Sequence, residues 1–354
     1  MMSFRDDRLA TTPLPPAAVW LIGEAMEARG RQELYTRQAP DLLKALRELA
    51  MVQSAESSNR IEGVTVSASR LRPLVLGKAK PQDRSEEEIR GYREALALIY
   101  RDFAKLDVSP ATVRRLHAIC QAGADDAGRW KKRNNEIVEL APGQPPRVRF
   151  TPLSAAETPA GMEELCQLYR QASADEQVPP LVAVGAFVFD FLCIHPFRDG
   201  NGRVSRLLTL LLLHRHGFEV GRYVSLDRLV EEERTRYYEV LRQSSEGWHA
   251  GTHVLDPWLL FFLGVVRGAG REFAERAGRV KAPRGAKTAL VEQAIAEMEG
   301  TFTLVELERR CPHVSRDMVR LLLFRLRRAG RVECIGRGPS SAWKRVGRWP
   351  GEKM

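Results

Sequence analysis

Between His195 and Arg206 the chain reads His-Pro-Phe-Arg-Asp-Gly-Asn-Gly-Arg-Val-Ser-Arg. Each residue type there is suited to one part of a phosphate reaction. His195, with an ordinary pKa near 6.5, can take a proton from an incoming hydroxyl. Asp199 can hold Mg²⁺, which keeps few protein ligands and completes its shell with water and phosphate oxygens. Gly200 and Gly202 let backbone N–H groups approach an anion. A helix starting at about Asn201 to Val204 would aim its positive end at the same place. Arg203 and Arg206, three apart, reach one side of that helix, and guanidinium forks match phosphate oxygens. Pro196 and Phe197 fix the direction of His195, the phenyl ring anchoring in the core. Together these parts describe phosphoryl or nucleotidyl transfer by positioning, metal, anion stabilisation and one base. Neither a Walker lysine loop nor a kinase signature is present.

Two apolar segments must position this machinery: Leu181 to Ile194, in which Asp190 is the only charge, and Leu207 to Leu213. Helical periodicity predicts further helices over Asp41 to Asn59, Glu86 to Leu106, Pro110 to Ala122 and Glu157 to Gln171. Glu232 to Ser244 and Pro257 to about Arg279 read as helices as well. The main exception is a short β-hairpin, with strands at Ile137 to Leu140 and Val148 to Phe150 around a Pro/Gly turn at Ala141 to Pro146.

A composition of 44% hydrophobic and 28% charged residues over 354 positions suits a soluble globular protein of one or two domains. No apolar stretch reaches the roughly 20 residues that span a bilayer, and the charged N-terminal residues lack a secretory core. A cytoplasmic location without membrane attachment is the expectation. The five cysteines show no zinc spacing and are expected to be reduced core or boundary residues.

Charge is unevenly placed. Residues 301–354 carry thirteen Lys or Arg against five acids, which is +8 of the chain's +10. A Gly/Pro/basic stretch at Ala277 to Lys287 marks a boundary. Beyond it lie predicted helices at Ala286 to Met298, Thr303 to Arg310 and Ser315 to Ala329. Two short strands follow, Val332 to Ile335 and Ala342 to Val346, around a turn at Gly336 to Pro339. This pattern suggests a winged helix-turn-helix. Arg316, Arg320, Arg327, Arg337, Lys344 and Arg345 could contact DNA phosphates. Leu321-Leu322-Leu323-Phe324, apolar all round its helix, points instead to packing against protein.

His195 to Arg206 resembles the signature of the Fic family, HPFx(D/E)GNGRxxR, with every core position present. Ser58-Asn59-Arg60-Ile61-Glu62-Gly63 resembles that family's inhibitory motif, (S/T)xxxE(G/N). Gly128-Arg129-Trp130-Lys131 and the hairpin after it resemble the lead into the family's flap, and Tyr237 to Leu241 its helix after the motif. The resemblance covers roughly residues 10–265. It implies a mainly α fold: a Fic-type helical bundle with a β-hairpin flap, joined to the winged helix-turn-helix. The expected divisions are an N-terminal helical region 1–109 carrying the inhibitory helix, a Fic core 110–265, a linker 266–285 and the C-terminal domain 286–354.

The activity implied is AMPylation, transfer of AMP from Mg·ATP to a Ser, Thr or Tyr hydroxyl of a protein, itself included. The resemblance makes His195 the base and Asp199 the metal ligand. Phe197, Gly200, Asn201, Gly202 and Arg203 would hold ATP, Arg206 would grip its γ-phosphate, and Tyr237 and Ser245 would stand near the adenine. Ile137, Val138, Arg149 and Phe150 would form the flap on which the target docks as an added strand. Ser58, Glu62 and Gly63 would be inhibitory, with Glu62 occupying the Arg206 guanidinium that ATP needs. Kept as alternatives are another phosphate-group transfer or de-AMPylation by the same fold, and a nucleotide-sensing, DNA-binding regulator. The oligomeric state is left open, a homodimer included.

Overall fold

The computed structural model describes residues 2–36, 40–139, 147–174, 178–278, 286–298, 300–311, 314–336, 341–347 and 349. Two compact units divide the chain at Gly278.

The first unit opens with α1 (Arg8–Thr11), α2 (Pro16–Thr36), α3 (Pro40–Ile61) and α4 (Ala68–Val75). Then come α5 (Arg84–Asp102), α6 (Pro110–Cys120) and an antiparallel hairpin of β1 (Ile137–Glu139) and β2 (Arg147–Phe150). It closes with α7 (Thr158–Ala174), α8 (Pro180–Ile194), α9 (Asn201–Arg215), α10 (Leu226–Glu232), α11 (Arg234–Ser245) and α12 (Asp256–Gly278). Capping explains several starts: Asp83 accepts the Glu86 N–H at 2.8 Å, and Ser109 accepts the Thr112 N–H at 3.3 Å.

α8 lies at the centre. Its residues Leu181 to Ile194 are all buried, as an all-round apolar helix must be. α9 packs against it, and the N-terminal helices share the same hydrophobic core. The expected division at residue 109 is therefore not a boundary in packing. The one charge in α8, Asp190, is satisfied by three donors. The Ser3 N–H (2.7 Å), the Ser3 hydroxyl (3.1 Å) and the Trp248 indole N–H (2.8 Å) all point at its carboxylate. Burial still pushes that carboxyl up to about 6.

Some sequence expectations change. The linker expected at 266–285 does not begin at 266, because α12 continues to Gly278 and buries Phe273; residues 279–285 lie outside the described residues. The helix expected over Glu232 to Ser244 begins at Arg234, after the separate short helix α10. The helix expected to reach Leu106 ends at Asp102, followed by one 3₁₀ turn. α1, α2 and α4 were not anticipated; α4 is short and carries an internal Pro73. The hairpin turn at Ala141 to Pro146 lies outside the described residues.

The second unit contains α13 (Ala286–Ala296), β3 (Thr301–Thr303), α14 (Leu304–Arg310), α15 (Arg316–Arg328), β4 (Val332–Ile335) and β5 (Ala342–Arg345). Its sheet has three strands in the order β3-β5-β4, not two; β3 escaped notice because three residues carry no readable alternation. Its core gathers Ile295, Phe302, Leu307, Val319, Leu322, Leu323, Leu326 and Trp343. The apolar run of α15 places side chains on both of its faces, as expected. Leu322 and Leu323 face inward, while Leu321 and Phe324 are about half exposed. Arg337 and the rest of the wing turn to Pro339 lie outside the described residues. No described helix is long and apolar enough to cross a membrane.

Candidate active site

The loop between α8 and α9 is closed by its own residues. His195 ends α8 in the left-handed region (φ 51°, ψ 60°), a conformation that costs a non-glycine residue roughly 1 kcal/mol or more. Asn201 then staples the loop. Its side-chain oxygen accepts the Phe197 N–H at 2.9 Å and its amide donates to the Phe197 carbonyl at 2.8 Å. The Phe197 ring is fully buried, stacked on His117 at 3.7 Å between centroids. Phe197 and the Asn201 side chain thus lie under the loop; they do not line the cleft.

Gly200, at φ +79°, turns the chain into α9. The N–H groups of residues 201–203 start that helix ahead of any carbonyl they could reach. This is the helix start expected from the sequence beneath an anion cradle. Asp199 beside it is well exposed, its Oδ1 accepting the Gly200 N–H at 2.7 Å.

A carboxylate already sits on this cradle. A Cβ added at Gly202 would overlap Oε1 of Glu62. The same Oε1 accepts from the Arg206 guanidinium at 2.7 Å, and Ser58 binds that guanidinium through its hydroxyl (2.7 Å) and its carbonyl (2.9 Å). Asp227 lies 3.6 Å away on another side. Burial opposes the charge on Arg206, but the carboxylates of Glu62 and Asp227 outweigh it and raise its pKa. One guanidinium nitrogen, NH1, is buried with no hydrogen-bond partner and faces the Gly202 position. Gly63 permits this placement. Its φ of +83° ends α3 just past Glu62, with the Val64 N–H returning to the Asn59 carbonyl at 2.9 Å. Arg234 caps the Ile61 carbonyl at 2.9 Å and pins the helix end.

Arg203 points elsewhere. Its side chain is 2% exposed and reaches Glu88 and the Asn59 amide oxygen, with Asp199 at 3.5 Å. It braces the loop from below, so in this arrangement it does not share the side of α9 that Arg206 offers.

A cleft of about 220 Å³ brings together His195, Gly202, Glu62, Tyr237 and Ser245 with Ile137, Arg149 and Phe150 of the hairpin. Val138 is not in its lining; it pairs with Val148, and both are nearly half exposed on the outside of the hairpin. The Ser245 hydroxyl donates to the Arg242 carbonyl at 3.0 Å. His195 Nδ1 lies 3.3 Å from the Leu192 carbonyl, which can only accept, so Nδ1 carries the hydrogen and Nε2 is left as the acceptor. Burial lowers the imidazole to about 4, leaving it neutral at pH 7.

Comparison with known proteins places the chain in a family. Residues 107–213 match the Fic/DOC family. A Fido domain-containing protein of Dictyostelium discoideum is 34% identical over 103 residues, 28% of this chain and 70% of that protein. The chain belongs to the Fic/DOC family. A protein adenylyltransferase Fic of Nematostella vectensis is 27% identical over 231 residues, 61% of this chain; the chain spans about half (49%) of that relative's length. A crystal structure of a Fic family protein from Desulfovibrio desulfuricans G20 superposes with a TM-score of 0.61 at 22% identity. It covers 96% of this chain and 98% of that one, which establishes the Fic fold.

The Fic site suits phosphate and Mg²⁺ on chemical grounds. The Glu62 carboxylate lies where an anion would, and the unpartnered NH1 of Arg206 is a donor awaiting one. Among the described residues no three His, Cys, Asp or Glu converge as a metal cage. A single exposed carboxylate is the donor set that Mg²⁺ accepts when phosphates supply the rest. Sequence reasoning missed His117, whose Nε2 donates to the Asp199 carbonyl at 3.1 Å, and Gln121, whose amide reaches Asp199 at 3.3 Å. It also missed Glu88, the partner of Arg203. A polar residue at helical spacing on an otherwise buried face was the available signal for all three.

Proposed function

We propose that this Fic protein is an autoinhibited protein adenylyltransferase that moves AMP from Mg·ATP to a protein hydroxyl. The observation that carries the reading is Glu62, which covers Gly202 at the start of α9 and pairs with Arg206 in the cleft that holds His195. The family membership and the curated relatives named protein adenylyltransferase support the reaction class.

In this reading the helix start at residues 200–202 binds the phosphates and Arg206 takes the γ-phosphate once Glu62 leaves. Tyr237 and Ser245 flank the base. The target backbone lies along the hairpin edge as an added strand, bringing a Ser, Thr or Tyr hydroxyl to His195. Nε2 of His195 accepts the hydroxyl proton as the oxygen attacks the α-phosphorus. The bond to the bridging oxygen breaks, and pyrophosphate departs with that electron pair. Asp199 would hold Mg²⁺, which when bound supplies charge neutralisation on the phosphates. With Glu62 in place, ATP can enter only turned away from in-line attack.

Intact-mass measurement after incubation with Mg·ATP tests this on the wild type, Glu62→Gly and His195→Ala. The expected outcome is a gain of one AMP in Glu62→Gly alone. An unchanged mass in that variant, with no increase in labelling from α-³²P-ATP, sinks the reading. Gain of a different group, or removal of AMP from a modified protein, would point to the alternative transfers.

A second reading concerns the C-terminal unit. Arg320, Arg325, Arg327, Arg328 and Lys344 are exposed there, and we propose them as a phosphate-contacting face for DNA. Arg316 and Arg345 are engaged within the unit, with Glu308 and the Ala296 carbonyl. No mobility shift with random duplex at low salt would retire this reading.

A further inference from the structure

A short stretch before the hairpin grips the catalytic loop by its backbone. The Lys131 N–H donates to the Pro196 carbonyl at 2.9 Å. Its ammonium donates to the Ile194 carbonyl at 3.1 Å and to the Asn135 side-chain oxygen at 2.8 Å. Asn135 in turn donates its amide to the Phe197 carbonyl at 3.1 Å. Three carbonyls flanking His195, those of residues 194, 196 and 197, are thus held from residues 131 and 135.

This grip has a physical reason. His195 is left-handed without being glycine, so neighbouring contacts must hold it there. The Ile194 carbonyl is among the last of α8 and has no N–H ahead of it to accept. A cation is the donor best suited to that helix end. Yet Lys131 is 5% exposed and both acceptors of its ammonium are neutral. A buried ammonium so placed is costly, and burial pulls it down to about 8.

We propose that Lys131 is a positioning residue for His195: its ammonium clamps the left-handed turn that aims the imidazole into the cleft. Its charge adds to burial in disfavouring the imidazolium there. Among the described residues, Lys131, Glu62 and Arg149 are charged groups that act on His195. Burial is the largest influence on the ring, and the Nδ1 bond to Leu192 opposes it. Lys131 and Arg149 disfavour the imidazolium, whereas Glu62 favours it. Bound phosphates would favour it as well, and the Lys131 charge counters them. Because Asn135 lies two residues before β1, the base and the flap share one anchor.

The kinetic part of this proposal rests on the adenylyltransferase reading, but its central test does not. Histidine NMR titration of the full chain reads the His195 midpoint directly, with His195→Ala identifying the resonance. Lys131→Met and Lys131→Gln are expected to raise that midpoint by about one pH unit. Lys131→Arg, which keeps the charge, should stay within a few tenths of a unit of wild type. Lys131→Gln can still donate to Ile194, so it decides the matter if Lys131→Met fails to fold. In a Glu62→Gly background, Lys131→Gln should lower kcat about tenfold with KM for ATP unchanged, and shift the acid limb of the pH profile upward. An unmoved His195 midpoint in the neutral variants, or an equal shift in Lys131→Arg, overturns the proposal. Lost activity with an unmoved midpoint overturns it too, by making Lys131 merely structural. If Glu62→Gly itself transfers no AMP, the transferase reading fails and the titration still decides the role of Lys131.

Discussion

α9 and α15 are built from similar residues, a leucine run studded with arginines, and use them in opposite ways. In α9, Arg203 and Arg206 are buried, and each is bound by a carboxylate and a serine or asparagine from α5, α3 or the turn that ends α3. In α15, Arg320, Arg325, Arg327 and Arg328 are exposed and make no ion pair or side-chain hydrogen bond among the described residues. Burial makes the difference. A desolvated guanidinium must be paired, so its partner's identity becomes a functional variable. An exposed one contributes a screened charge and little else.

The largest expected effect breaks the paired side of that contrast. Arg203→Met leaves the buried Glu88 with only the exposed Arg84 as partner, and urea unfolding should show a loss of about 3 kcal/mol. A small loss would mean that the pair is not what braces the loop.

Acid separates the two units next. His214 of α9 and His253 are nearly fully buried, and burial lowers both to about 4. Unfolded histidine titrates near 6.5, so the unfolded chain binds protons first as pH falls. The stability these two contribute is complete above pH 6.5 and is lost towards pH 4, at about 2 kcal/mol each by pH 5. Asp190, raised to about 6, acts in the opposite sense, favouring the fold below its unfolded pKa and losing that contribution as pH rises through 6. Net acid destabilisation of the first unit is expected in thermal scans from pH 7 to 5, and a flat profile would contradict the histidine assignments.

Smaller in energy, but decisive for function, is release of Arg206. Glu62→Gly should raise self-labelling at least about tenfold, or about 1.4 kcal/mol, while Ser58 and Asp227 keep the guanidinium held. Gly202→Ala sharpens this, since its methyl would displace Glu62 yet fill the cradle. Nucleotide binding, followed by calorimetry, should fall in that variant. The smallest effect belongs to α15. Arg320→Ala should change stability by less than about 0.5 kcal/mol. If DNA binds there, the substitution lowers the salt dependence of binding by about one counterion.

Much of the site was legible in the sequence because its residues are contiguous. Gly200 and Gly202 carry backbone requirements that a motif preserves, and α9 begins at Asn201, where the cradle needed a helix start. Asp190 stood out as a lone charge in an apolar run, and three donors do meet it. Most of the long helices were readable for the same local reason, although α2 (Pro16–Thr36) went unread because its apolar residues, the exposed Val19 and Trp20 among them, form no one-sided stripe. α4, α10 and β3 were not readable either, since elements of three to eight residues present too few turns or alternations to register.

The sequence by itself determined the chemistry on offer: a base, a carboxylate, a glycine cradle and arginines, in an order that makes one loop. Tertiary structure decided how those groups are employed. Arg203 and Arg206 are indistinguishable as letters, but their partners Glu88 and Glu62 come from more than a hundred positions away. Packing turned one toward Glu62 beside the cleft and the other toward Glu88 under the loop. The same holds for Lys131, whose contacts with residues 194 and 196 exist only after the chain has folded back. Long-range pairing depends on desolvation, and desolvation is a property of the packed core, not of any local stretch of sequence.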